Sequence, residues 1–356
     1  MPQPCHEHDR NPMTWQRRLG ALVREPWIRL CLLFPGSRWR DPLLYAHELV
    51  GDDFWILAGR WDSYCKKIAP ARIHPRLGWT QGPITAENPR GLVPQTASRL
   101  VRDGRRKVLF YGDSYVGGNA LEANWLPALL EKQLGDVDVL HLGVGGYGPD
   151  QMHLLFKETA PLVDPPHLVV MGLMTFSFDR AAQRVRSYQK PLLALRADGT
   201  LEVTNLPIDA EPERFFRKAK LSFSSYVLAA ERNLQDPHRA GEWGFLEKVA
   251  VNRAVVEANQ RYAAEIGSRL LYVIFYDHEQ LLRPRLRERF FIEELASLGV
   301  DTLDTAPVLL NYSREHGIDA SELYDNGHHN DLGNQVIAAA LAQAIEKRVG
   351  ARARRA

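Results

Sequence analysis

Five apolar runs, Val108–Tyr111, Val137–Leu142, Leu168–Leu173, Leu270–Tyr276 and Val300–Leu303, recur along the chain with helix-patterned stretches between most of them. Parallel strands must be joined by crossovers, usually helices, and strands covered on both faces read as nearly continuous apolar runs. This alternation restricts the chain to an α/β fold with a parallel, doubly wound sheet. The helical stretches carry apolar residues at helical spacing, as in Leu126, Leu129, Leu130 and Leu134, and the last is an Ala-rich run from Gln335 to Arg348. Further helices are expected from Asp150, over about Pro212–Leu234, over Trp243–Gly267 and over Arg283–Leu298, with a β-hairpin turning at Asp198-Gly199.

The 356 residues suffice for one large core with additions at its edges. We divide the chain into an N-terminal extension (1–104: a polar tail, helices and a Pro/Gly-punctuated loop segment), an α/β domain (105–350) with an insertion at about 196–267, and a basic tail (351–356). Charge is balanced, with 45 Lys and Arg against 43 Asp and Glu, which argues against a nucleic-acid partner. Three cysteines (Cys5, Cys31 and Cys65) without metal-ligand spacing suggest neither a disulfide framework nor a zinc site. His6 and His8 lack further ligands, so no metal and no cofactor is expected. No apolar run is long enough to span a bilayer, and Leu30–Phe34 is too short and too far in for a signal peptide; the expected location is the cytoplasm.

The first strand runs into Gly112-Asp113-Ser114. A serine at the carboxyl end of a parallel strand sits where open α/β sheets place their ligands. The plain alternative is a strand-ending turn in which Asp113 or Ser114 caps the next helix. The second strand empties into Gly143-Val144-Gly145-Gly146-Tyr147-Gly148, the third into Thr175-Phe176-Ser177, and the chain after the fifth reaches Asp325 and His328. Together these loops offer a nucleophile, a base, a carboxylate and backbone N–H donors, the parts that serine hydrolysis needs. The glycine loop also fits G-x-G-x-x-G, but Gly172-Leu173 stands where the ribose-binding acid of a dinucleotide site belongs.

Gly112-Asp113-Ser114, the loop Gly143–Gly148, and Asp325-x-x-His328 with Asn330 and Gly333 resemble, in order and strand context, the first, second and fifth blocks of the SGNH (GDSL-type) hydrolases. The resemblance spans roughly residues 107–340. It implies a flavodoxin-like three-layer α/β/α sandwich with a parallel five-stranded sheet, carrying here an N-terminal helical extension and a helical insertion. It also implies Ser114 as nucleophile, His328 as base, Asp325 as its orienter, and an oxyanion hole from the N–H groups of Ser114 and Gly146. The family's third block supplies an Asn to that hole; none stands in Gly172–Arg180, and Ser177 is the substitute donor we consider.

The leading expectation is a serine esterase or deacylase acting on an acyl ester of a small molecule, glycan or lipid. The alternatives are an O-acyltransferase using the same residues on a sugar hydroxyl, and a catalytically silent binding module of the same fold. Phe215, Phe216, Phe223 and Tyr226 in the insertion offer either an apolar wall for an acyl chain or ordinary helix packing.

Overall fold

In a computed structural model of the chain, the residues described are 68–100, 105–211 apart from a few loop positions, 245–282 and 286–353. The expected tail, the helical patches before residue 68, the aromatic cluster at 215–226 and the last basic residues lie outside them.

The five apolar runs form strands β1 (Arg106–Gly112), β2 (Val137–Gly143), β3 (Leu168–Met174), β4 (Arg269–Phe275) and β5 (Thr302–Asp304). They pair throughout in parallel, in the order β2-β1-β3-β4-β5. That is the flavodoxin-like doubly wound order, whose switch point lies where the chain reverses direction across the sheet, beside β1. Helices α1 (Leu126–Leu134), α5 (Thr305–His316) and α6 (Asp331–Ala353) pack together on one side. Helices α2 (Pro149–Thr159), α3 (Phe245–Glu265) and α4 (Leu286–Ser297) form the other layer. The fold is a three-layer α/β/α sandwich. Phe110, Val169, Val170, Leu271, Val273 and Phe275 are fully buried within it, as expected of strands covered on both faces.

Two features of the sheet shape its carboxyl edge. Gly112 pairs with both Gly143 and Gly172, so three glycines lie side by side where β1 and β2 end, while β3 runs two residues further to Met174. A side chain at Gly112 or Gly143 would collide with Val116, at 2.3 and 2.7 Å from the nearest atom respectively, so the turn after β1 can pack into the trough only over glycine.

Helix α5 has no counterpart among the expected elements, although Asp304 caps its start by accepting from Ala306 N–H and Gly317 ends it in the left-handed region at φ 65°. The charged helix expected over 283–298 appears as a short turn of helix at His278–Leu282 followed by α4. The hairpin predicted at Asp198-Gly199 forms, pairing Leu192–Leu195 with Leu201–Thr204. Residues 68–100, assigned from sequence to the N-terminal extension, enter the same core as the α/β domain: Leu77, Trp79 and Leu92 are buried in it. Among the described residues no helix is long and apolar enough to cross a membrane.

The segment that follows β3 is tied down by buried charge. Lys190 and Asp150, both fully buried, pair directly, and the ammonium also donates to the carbonyls of Arg180, Gln183 and Pro191. Removing one partner of such a pair leaves an uncompensated charge, a loss of about 3–5 kcal/mol. Lys190→Met is accordingly expected to lower the unfolding free energy by about that amount. Urea denaturation of the variant against wild type checks it; a change below about 1 kcal/mol would contradict the assignment.

Candidate active site

The turn after β1 is fixed by Asp113. Its buried carboxylate caps the single helical turn Ser114–Val116 by accepting from Tyr115 N–H at 2.9 Å. The same carboxylate accepts from the Ser177 hydroxyl at 2.9 Å and from Arg180 Nη1 at 2.9 Å. Arg180 Nη1 also donates to the Tyr147 carbonyl at 3.0 Å, joining the serine turn to the glycine loop. Asp113 is therefore the buried anion around which this edge is assembled, and the side chain of Ser114 is left free to face the cleft.

The second half of the site is a two-residue hairpin. Tyr324–Asp325 pairs antiparallel with His328–His329 across Asn326-Gly327, whose φ values of 48° and 78° make a type I′ turn. The register sets His328 opposite Asp325, with their side chains on one face of the ribbon. The hairpin is stitched to the loop that leaves Ser114: Asn119 N–H donates to the His329 carbonyl at 2.8 Å, and the Tyr115 hydroxyl donates to the Gly327 carbonyl. Asn334, at the start of α6, donates to the Gly117 carbonyl at 2.9 Å, and the Tyr115 ring lies 4.8 Å from the His328 ring.

These contacts bring Ser114 Oγ within 2.8 Å of His328 Nε2. With Nε2 accepting from the hydroxyl, the ring proton is assigned to Nδ1, which faces the Asn326 carbonyl at 3.3 Å. Asp325 departs from expectation. It is exposed, its carboxylate accepts from the Asn119 amide, and no hydrogen bond or ion pair joins it to His328. The three-residue spacing predicts a direct carboxylate–imidazole contact; the tight hairpin instead places the turn's own carbonyl at Nδ1.

The glycine loop lies against the nucleophile, since a side chain on Gly145 would come within 3.9 Å of Ser114 Cβ. Val144–Tyr147 form a turn closed by Tyr147 N–H donating to the Val144 carbonyl at 3.1 Å, with Gly146 at φ 84° as a type II turn requires. Among the described residues the N–H groups of Ser114 and Gly146 find no protein acceptor. Ser177, considered as a third donor, is corrected: it is fully buried and its hydroxyl is spent on Asp113. Thr175 is likewise buried and donates to Gln280.

Leu121 and Phe176, on the loops leaving β1 and β3, are 70% and 37% exposed. Among the described residues no group of three His, Cys, Asp or Glu side chains is placed to hold a metal ion. The residues that sequence reading misses are those that hold the site: Tyr115, Asn119, Arg180 and Asn326. For the hairpin the signal is present in Asn326-Gly327, since Asn-Gly is a preferred type I′ sequence.

No family model and no curated protein sequence matches the chain. Solved structures similar to it include a lipolytic protein of the G-D-S-L family from Desulfitobacterium hafniense, at 11% identity and TM-score 0.36, covering 67% of this chain and 98% of that one. An acylhydrolase from Bacteroides fragilis is similar at 13% identity and TM-score 0.39, over 72% of this chain and 94% of that one. A two-domain esterase active on acetylated mannans is similar at 10% identity and TM-score 0.39, over 68% of this chain and 49% of that one. The likeness lies in the fold, a parallel five-stranded sheet between two helical layers. Likenesses this distant decide nothing about chemistry, which rests on the geometry above.

His329 sits behind the Ser114–His328 pair, fully buried among Tyr115, Phe275 and Tyr324, and neither ring nitrogen has a hydrogen-bond partner. Burial, with the neighbouring His328 charge adding to it, pulls its pKa down to about 3. The unfolded chain would hold a proton there below its ordinary pKa of about 6.5, while the folded chain would not. Unfolding therefore takes up a proton between about pH 6.5 and 3, and this group alone erodes stability by up to about 1.4 kcal/mol per pH unit as pH falls through that window. His329→Phe, which fits an aromatic cage and has no proton to gain, is expected to flatten the decline of melting temperature below about pH 6.5. Equal acid sensitivity in variant and wild type would contradict the assignment.

Proposed function

We propose that the protein is a serine-dependent ester hydrolase of the SGNH type, with Ser114 as nucleophile and His328 as general base. The observation that carries this reading is the 2.8 Å hydrogen bond from the Ser114 hydroxyl to His328 Nε2 at the carboxyl edge of the sheet. A serine hydroxyl is a weak nucleophile until a positioned base takes its proton, and hydrogen-bond reach between the two is the geometric requirement.

As Ser114 Oγ adds to the acyl carbonyl, its proton passes to His328 Nε2. The carbonyl oxygen gains negative charge beside the N–H groups of Ser114 and Gly146, and each such donor is worth about 3 kcal/mol to the transition state. His328 then protonates the departing alkoxide, leaving an acyl-Ser114. A water, deprotonated by the same imidazole, adds to the acyl-enzyme, and collapse returns Ser114 and releases the acid. Through both halves Nδ1–H stays directed at the Asn326 carbonyl, which fixes the tautomer.

Asp325 acts on this cycle through its charge, from the position opposite His328 in the hairpin, where it stabilises the imidazolium that forms. The apolar groups of Leu121 and Phe176 on the same rim give an acyl chain something to contact. Nothing in the geometry selects transfer to a sugar hydroxyl over transfer to water, so hydrolysis is the reading we adopt.

The test is turnover of p-nitrophenyl acetate and butyrate. Ser114→Ala and His328→Ala should each lower kcat by at least about 1,000-fold with folding intact. Turnover that survives Ser114→Ala would sink the mechanism. Asp325→Asn should lower kcat by only about tenfold, ~1.4 kcal/mol, because a carbonyl and not this carboxylate holds the imidazole. A loss as deep as that of His328→Ala would show the carboxylate to be the orienter after all.

A further inference from the structure

Trp79 belongs to the segment that precedes β1, outside all the blocks that suggested the activity. Its ring is buried, and Nε1–H donates to the Gly145 carbonyl at 2.9 Å. The Tyr147 hydroxyl donates to the Trp79 carbonyl at 2.6 Å, and the two rings meet edge to face with centroids 5.5 Å apart. The segment is thereby clamped to the turn Val144–Tyr147 at both ends of that turn's second half.

The carbonyl that Trp79 holds belongs to the central peptide of a β-turn. Type I and type II turns keep the same closing hydrogen bond and differ by rotation of this peptide through about 180°. In a trans peptide the C=O and N–H point in opposite directions, so fixing one fixes the other. The peptide here joins the Gly145 carbonyl to the Gly146 N–H. Glycine at both central positions removes the side-chain barrier that would otherwise favour one turn type. An outside contact must therefore set the orientation, and the indole N–H is that contact.

We propose that Trp79 is a positioning residue for catalysis: it locks the Gly145–Gly146 peptide in the type II orientation and so keeps the Gly146 N–H presented to the oxyanion. The flipped peptide would offer a carbonyl oxygen in place of that N–H and repel the charge that develops. The inference rests on the proposed ester hydrolysis and adds a component to it from a part of the chain otherwise without assigned chemistry.

The test uses the full chain and p-nitrophenyl acetate. Trp79→Phe removes the N–H and keeps an aromatic ring; a second variant carries 3-benzothienylalanine at position 79, which replaces the indole N–H by sulfur and preserves the ring's shape. Both should lower kcat by about 10- to 100-fold with KM within about twofold of wild type, short of the full loss of an oxyanion donor. Affinity for a boronic acid that bonds to Ser114 and places an oxygen in the hole should fall by the same factor as kcat/KM. If Trp79→Phe does not fold, the sulfur analogue decides. A sulfur analogue with kcat within twofold of wild type, or with its loss carried in KM, would overturn the proposal. Loss of activity in Ser114→Ala alongside an unaffected analogue refutes only the role of Trp79, whereas activity surviving Ser114→Ala refutes the underlying reaction.

Discussion

The hydrogen bond between Ser114 and His328 joins residues 214 positions apart, and much of the carboxyl edge is arranged to keep it. One end is set by β1, whose last residue must be glycine for Val116 to close the turn beneath the serine. The other is set by a type I′ hairpin, which owes its register to the left-handed pair Asn326-Gly327. Between them run cross-links from the loop at Gly117–Leu121 to the hairpin and to the first turn of α6. Each is a modest contact, but together they leave the imidazole little freedom to withdraw.

Charge is handled differently inside and outside this edge. Asp113 is buried, and it is balanced by Arg180, by the Ser177 hydroxyl and by a backbone N–H. A buried carboxylate with three donors acts as a structural anchor. Asp325, by contrast, is exposed on the hairpin, where water screens its field. His329 stays neutral by burial beside a base that must change its charge in every cycle.

The sheet is legible in the sequence because strands covered on both faces must be apolar throughout, and all five runs are strands within a few residues of their expected ends. Ser114, His328 and the glycine loop are legible because topology fixes what lies at the carboxyl edge once the strands are known. The surroundings of Asp325 are not, because a three-residue spacing does not say whether the intervening turn presents a side chain or a carbonyl to the ring. Ser177 escapes because its partner, Asp113, reads from sequence as a cap alone; a single carboxylate can accept several donors, and here it takes the serine expected at the site. Trp79 and Arg180 carry no local pattern at all: their partners are carbonyls 66 and 33 residues away, a relation that only the folded chain creates.

The most direct measurement of the central claim is covalent capture of the nucleophile. A fluorophosphonate reacts with a serine only when its hydroxyl is activated and the oxyanion is accommodated. Peptide mapping by mass spectrometry after labelling should find the phosphonyl group on Ser114 in the wild-type chain and should find the rate of labelling sharply reduced in His328→Ala. An unlabelled Ser114, or labelling that is indifferent to loss of His328, would contradict the account.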